Sequence, residues 1–274
     1  MWKRARRLIA LAVLALSAAG ASAGQLVAPA HATISLVAEG DGFTAGKIGW
    51  IGLLFELEQG WHIYWVNPGD AGDPPRVQWD LPAGFRAGEI RWPVPIRLVT
   101  GPVIDYGYEG RVLLAVPLQA PADFKAGAPA TITADIRYVI CRDICIPVKA
   151  RATLSVPERG ATGDAARRAL FSATRARWPK PVPAGWDIKA VTDGKHIILG
   201  VQTGGKESTA AFFPLNADQI DNAAPQAVVT TVRGLQLTLQ RSDPDSKPPS
   251  VLNGVVVLGQ NRAFEVAVPV TAQH

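Results

Sequence analysis

Between residues 131 and 140 every second position is apolar: Ile132, Ala134, Ile136, Tyr138 and Ile140 alternate with Thr133, Asp135 and Arg137. A period of two marks a strand with one face buried. Short Val/Ile/Leu/Thr runs recur at residues 34–38, 47–56, 112–116 and 150–156, with Gly, Pro, Asn and Asp between them. Those four residue types punctuate strands by supplying turns. The pattern predicts many short strands, and hence a β-sandwich.

The pattern breaks between Pro157 and Gly185. Ala165, Ala169, Leu170 and Ala173 fall at helical spacing behind Asp164, which predicts a short helix over 164–177 with Asp164 as its N-cap. The following Trp178-Pro-Lys-Pro-Val-Pro-Ala-Gly185 is too rich in proline for an interior strand. Strand-like runs then resume at 187–191, 196–201, 209–213, 227–232, 235–239, 254–258 and 263–270, while Lys206-Glu207 and 243–249 read as exposed loops. The expected organisation is all-β: a first sandwich over 24–158, a helix and Pro-rich linker over 159–185, and a second sandwich over 186–274.

The start of the chain follows a different logic. Lys3, Arg4, Arg6 and Arg7 precede an apolar run from Leu8 to Leu16, and Ala21-Ser-Ala23 ends it. This is the form of a cleaved secretory signal peptide over residues 1–23. The run is well short of the roughly 20 residues needed to span a bilayer, and no later segment reaches that length, so a soluble exported protein without stable membrane insertion is expected. Four of the basic residues lie in the leader and no acid does, so the formal charge of +5 falls by four to +1 once it is removed. No basic patch with interleaved aromatics remains, which argues against nucleic acid as a partner.

An oxidising compartment changes how the cysteines are read. Cys141 and Cys145 are the only two in the chain. They flank Arg142-Asp143-Ile144 between the strand ending at Ile140 and the strand-like run from Val148. A hairpin neck of this kind brings two α-carbons to about 5.5 Å, inside the disulfide window. Closing a loop of about five residues stabilises by roughly 2 kcal/mol at best, and two domains of this size bury enough apolar surface without it. Short, exposed bridges are also the more labile ones. Arg142 and Lys149 would lower a thiol pKa while Asp143 opposes them. From the residues alone, a redox-active pair and an inert clip both stand.

Tyr138-Val-Ile-Cys-Arg-Asp-Ile-Cys-Ile-Pro147 resembles the active-site hairpin of the periplasmic N-terminal domain of the DsbD thiol:disulfide interchange family, including its ScsB (suppressor of copper sensitivity) branch. Two further segments agree in order. Gly60-Trp-His-Ile-Tyr-Trp-Val-Asn-Pro-Gly-Asp-Ala-Gly72 with Trp79-Asp-Leu-Pro-Ala-Gly84 resembles the family's early strand and loop, and Trp92-Pro-Val-Pro95 leading to Asp105-Tyr-Gly-Tyr-Glu-Gly110 resembles the segment bearing its cap loop. Ala211-Phe-Phe-Pro214, Ile220 to Pro225 and Gly234-Leu-Gln-Leu237 are similar to the second β domain of the ScsB-like branch.

The resemblance implies immunoglobulin-like sandwiches and an electron relay of the protein-disulfide reductase type. By position in the motif, Cys145 forms the mixed disulfide and Cys141 resolves it, although the two cysteines lie more widely apart in DsbD itself. Tyr106, then Tyr108, would shield the sulfurs, and Asp105 and Glu109 would relay a proton. The implied partners are thioredoxin-like periplasmic proteins and, because family members continue into a membrane segment absent before His274, a separate membrane electron donor.

Other residues offer less. His62 lies in the aromatic run Trp61 to Trp65 and reads as a packed histidine, Asn67-Pro-Gly-Asp70 reads as a turn, and His31, His196 and His274 are scattered without metal-ligand spacing. No phosphate loop, dinucleotide fingerprint or nucleophile elbow is present, so no cofactor and no metal site is expected. Two alternatives to the relay remain open: a Cu(I)-thiolate protein, which suits two sulfurs but has only Met1 as a thioether, and a binding module with a structural disulfide.

Overall fold

The structure, a computed structural model, describes residues 31–125, 127–156 and 164–273. The leader expected over residues 1–23 lies outside the described residues. Among the described residues ten strands precede the helix: β1 (Ala32–Ala38), β2 (Ile48–Leu57), β3 (His62–Gly69), β4 (Arg76–Asp80), β5 (Arg86–Ala87), β6 (Ile96–Thr100), β7 (Val103–Glu109), β8 (Arg111–Gln119), β9 (Ala130–Cys141) and β10 (Cys145–Val156). Helix α1 (Asp164–Ala176) follows, then β11 (Lys180–Pro181), β12 (Asp187–Thr192), β13 (His196–Gln202), β14 (Ala210–Pro214), β15 (Ala227–Thr231), β16 (Gly234–Gln240), β17 (Val251–Leu258) and β18 (Arg262–Ala272).

The first unit is a sandwich of two sheets, ordered β1-β2-β8-β5 and β10-β9-β3-β7-β6, with β4 also pairing β9. Alternation decides which side chains meet between them. Leu53, Phe55, Leu114 and Val116 from one sheet and Ile63, Tyr108, Ile136 and Ile140 from the other share one core. The opposite face of the first sheet is covered as well: Leu54, Leu113 and Ala115 pack under Phe171 of α1, with Trp50 and Trp178 beside them. Burial on both faces explains why the centre of β2 reads as a continuous apolar run rather than an alternating one. Arg175 fixes the helix to the sheet through a two-pronged contact with Glu39, at 2.5 and 2.6 Å. The segment expected as a linker therefore includes a helix that packs on the first sandwich.

The second unit is a sheet ordered β14-β17-β18-β12-β13-β16-β15, with β11 pairing β18. β18 pairs β17 over residues 262–269 and β12 over 270–272, so one strand joins the two halves of this sheet. Its core holds Leu199, Val201, Leu237, Leu252 and Val256. Only two residues of the Pro-rich stretch, Lys180 and Pro181, join the sheet, and they do so at its edge. The two units are not merely tethered: Phe213, Val255 and Ala263 of the second belong to the core cluster of the first.

The strands read from periodicity are all present, within a few residues at their ends. β3 to β7 were not predicted from periodicity. β3 is buried on both faces along most of its length, and β4 and β5 are too short to show a period.

Candidate functional site

The two cysteines close the β9–β10 hairpin. Cys145 pairs directly with Cys141 in the register, the two are joined as a disulfide, and their α-carbons are 4.2 Å apart, closer than the expected 5.5 Å. The narrower spacing is that of an antiparallel pair without mutual backbone hydrogen bonds. Cys141 ends the buried strand and is 2% exposed, whereas Cys145 begins the solvent-facing one and is exposed. The turn between them leaves Ile144 65% exposed.

Sheet register shows which side chains share the sulfurs' side. Cys141 stands opposite His62 on β3, and His62 stands opposite Glu109 on β7. One step along, Ile140, Ile63 and Tyr108 form the adjacent row, and all three lie in the sandwich core. Because side chains alternate, Cys141, His62, Glu109, Tyr64 and Asp105 belong to the outer face. Tyr106 and Tyr108 belong to the inner one.

Tyr64 reaches the sulfurs directly. Its hydroxyl donates to Cys141 Sγ at 2.8 Å and lies 3.5 Å from Cys145 Sγ. Although on the outer face, Tyr64 is 0% exposed, because the chain after β3 folds back over it. Gly72, at φ 83°, lies on the ring so closely that a Cβ there would be 2.1 Å from Tyr64 Cζ. Three bonds pin this covering loop to β7: Asp70 N–H donates to Ile104 O, Ile104 N–H donates to Asp70 Oδ2, and Ala71 N–H donates to Asp105 Oδ1. Burial, aided by the charge of Asp105, pushes the Tyr64 phenol up to about 12, so it remains a proton donor throughout the physiological range.

The two tyrosines expected as a shield lie on the other face of the sheet from the sulfurs. Tyr106 and Tyr108 face the core, where Tyr106 donates to Asn222 Oδ1 at 2.9 Å and Tyr108 donates to Pro93 O at 2.6 Å. The cover over the inner sulfur is Tyr64 with the 69–72 loop. Asp105 and Glu109 do lie on the sulfurs' face, and burial pushes the Asp105 carboxyl up, with the nearby Asp70 charge adding to it and the Ala71 N–H opposing.

His62, read as a packed residue, is indeed buried. Its ring stands edge-on to that of Tyr64 at 5.2 Å, its Nε2 has no hydrogen-bond partner among the described residues, and burial lowers its pKa against the opposing pull of Glu109. Arg142 contributes little free positive charge to the thiols, since it pairs with Asp143 at 2.8 Å and lies over the Trp61 ring. Tyr64 is the functional side chain that sequence reasoning missed. The available signal was its place two residues after His62, on the same side of a strand.

An arrangement with one exposed and one enclosed sulfur, a fixed phenol donor and nearby carboxylates is suited to thiol-disulfide exchange. Residues 25–157 match the family model for the N-terminal part of the thiol:disulfide interchange protein DsbD. The fold is similar to the crystal structure of the N-terminal periplasmic domain of ScsB from Proteus mirabilis, with a TM-score of 0.65, 17% identity, and coverage of 88% of this chain and 92% of that one. A match to the periplasmic chaperone SfaE has a TM-score of 0.21 at 7% identity, covering 87% of this chain and 100% of that one. A sequence comparison with curated proteins gave no significant match. The likeness to ScsB agrees with the expected all-β, immunoglobulin-like fold.

Proposed function

Starting from the fact that residues 25–157 form a DsbD/ScsB-like N-terminal domain, we propose that this chain relays reducing equivalents to oxidised periplasmic proteins through Cys141 and Cys145. In this reading residues 24–158 are the redox domain, 159–185 join it to a second β domain over 186–274, and residues 1–23 direct export.

The carrying observation is the unequal exposure of the two sulfurs, one open to solvent and one enclosed under Tyr64. In the reduced form the Cys145 thiolate attacks a sulfur of the partner's disulfide. A Cys145–partner bond forms, and the partner's second sulfur leaves as a thiolate. Cys141 then loses its proton and attacks Cys145 Sγ, which re-forms the internal bridge and expels the partner as a dithiol. Two electrons pass to the partner, and a dithiol donor restores the starting state by the reverse exchange. In this reading Tyr64 stabilises the Cys141 thiolate by donating to it, and Asp105 and Glu109, which share its face of the sheet, take up its proton. Exposed Ile144, next to the attacking sulfur, offers an apolar contact to a thioredoxin-like partner.

Trapping in cells tests the assignment. With Cys141→Ser the Cys145–partner bond cannot be resolved, so mixed disulfides accumulate and carry thioredoxin-like proteins, while Cys145→Ser gives few. Equal trapping by both variants, or none by either, contradicts it.

A further inference from the structure

We propose that the second β domain is a positioning element for the redox site, acting through a clamp centred on Asn222. The inference goes beyond the relay reading and does not depend on which partner is reduced.

The loop that covers Tyr64 is held from two sides. From its own domain it is bonded to β7, as described above. From the second domain, Asn222 Nδ2 donates to Asp70 Oδ1 at 2.8 Å, the oxygen left over when Ile104 N–H takes Oδ2. The other end of the same amide accepts from the Tyr106 hydroxyl at 2.9 Å, so one Asn side chain joins the loop to β7. Arg97 on β6 donates to the main-chain oxygens of Asn222 and Ala223 at 2.6 and 3.2 Å, which fixes the backbone that presents the amide. Three residues before Asp70, Asn67 donates to Pro214 O at 2.8 Å and Asn216 O at 3.4 Å, while its Oδ1 accepts from Gly69 N–H. Asn67 is buried among these contacts. Phe213 stands edge-on to both Trp65 and Tyr106, at 6.4 and 5.4 Å, and closes the joint with apolar area.

The consequence is a continuous path of contacts: Asn222 to Asp70, the loop to Gly72, Gly72 against the Tyr64 ring, and the Tyr64 hydroxyl to Cys141 Sγ. A loop carrying two positive-φ glycines, Gly69 and Gly72, is costly to keep in one conformation. Bracing from outside the domain offsets that cost, and so keeps the phenol on the sulfur and small reagents off it. This gives the second domain a role that the first cannot supply alone.

The test uses the whole chain, chemically reduced, in a Cys145→Ser background that leaves Cys141 as the sole thiol. Asn222→Ala removes both amide bonds at a half-buried surface position. Loss of hydrogen bonds of this kind predicts alkylation of Cys141 by iodoacetamide about three- to tenfold faster, with faster amide hydrogen exchange at residues 69–72 and none of that acceleration in β9 or β10. The comparison variant is Asp193→Ala, which removes the acceptor of the Lys195 and His196 N–H groups in the β12–β13 turn and destabilises the second domain away from the joint. It is expected to leave the alkylation rate at the parental value. An unchanged rate in Asn222→Ala overturns the proposal, as does an equal acceleration by Asp193→Ala, which would make the effect one of general stability. Because the readout is a small reagent, it fails or succeeds independently of whether any protein partner is reduced.

Discussion

Tyr64→Phe removes one oxygen from the site and leaves the ring that fills the space under Gly72. Its hydroxyl is the donor at 2.8 Å from Cys141 Sγ, and with its pKa raised to about 12 it is still protonated wherever the thiol ionises. A hydrogen bond contributes about 1 kcal/mol net between neutral partners and about 2 when one partner is charged. The thiolate therefore loses about 1 kcal/mol more than the thiol does, which raises the Cys141 pKa by about 0.7 unit. For the two-electron couple the same energy moves the potential about 20 mV in the reducing direction at a pH where the thiolate dominates. The rate of Cys141 alkylation against pH, measured in the Cys145→Ser background with and without Tyr64→Phe, reads the shift directly. A pKa within about 0.2 unit of the parent, or one that falls, refutes the assignment of Tyr64 as thiolate donor.

Substitution of His62 tests the electrostatics of the same face. Burial holds its folded pKa below 6.5, so the unfolded chain takes up a proton that the folded chain resists; stability is full above the unfolded value and falls as pH drops through it. His62→Gln should therefore lose less stability than the parent between pH 7.5 and 5.5 in urea unfolding, and equal losses would contradict the reasoning. Gly72→Ala meets both a positive φ and the Tyr64 ring, whereas Gly110→Ala, at φ 64° with open space around it, meets strain alone. The expected losses are about 1 kcal/mol for Gly110→Ala and at least about 2 for Gly72→Ala; similar losses would mean that the loop does not rest on the ring. Ile144→Ser removes an exposed apolar side chain beside Cys145. It should slow exchange with a thioredoxin-like protein by about tenfold, the loss of part of an Ile side chain's burial, while exchange with glutathione stays unchanged; equal slowing of both would remove Ile144 from the docking surface.

How far the site could be read in advance depended on whether its geometry is local. The cysteine hairpin was legible because both flanking strands and the three-residue turn are contiguous, so alternation along β9 already placed the sulfurs together at its end. The choice between the two faces of β7 was not legible, because it depends on the pairing of Glu109 with His62 and of His62 with Cys141, partners tens of residues apart. A shift of one position exchanges Tyr106 and Tyr108 for Asp105 and Glu109. Tyr64 was hidden for another reason: it sits in a run buried on both sides, where a phenol looks like core. The joint between the units left even less trace, since Asn67 lies in what reads as an ordinary turn and Asn222 lies between strand-like runs, with no local sign of partners about 150 residues away.

A relay requires that the Cys141–Cys145 bridge open and close under physiological reductants. The deciding quantity is its reduction potential, determined by equilibrating the protein with glutathione and thioredoxin buffers. A value less negative than about −270 mV is expected, so that a thioredoxin-level donor reduces the pair, and a value below about −300 mV, typical of structural disulfides, would rule the relay out.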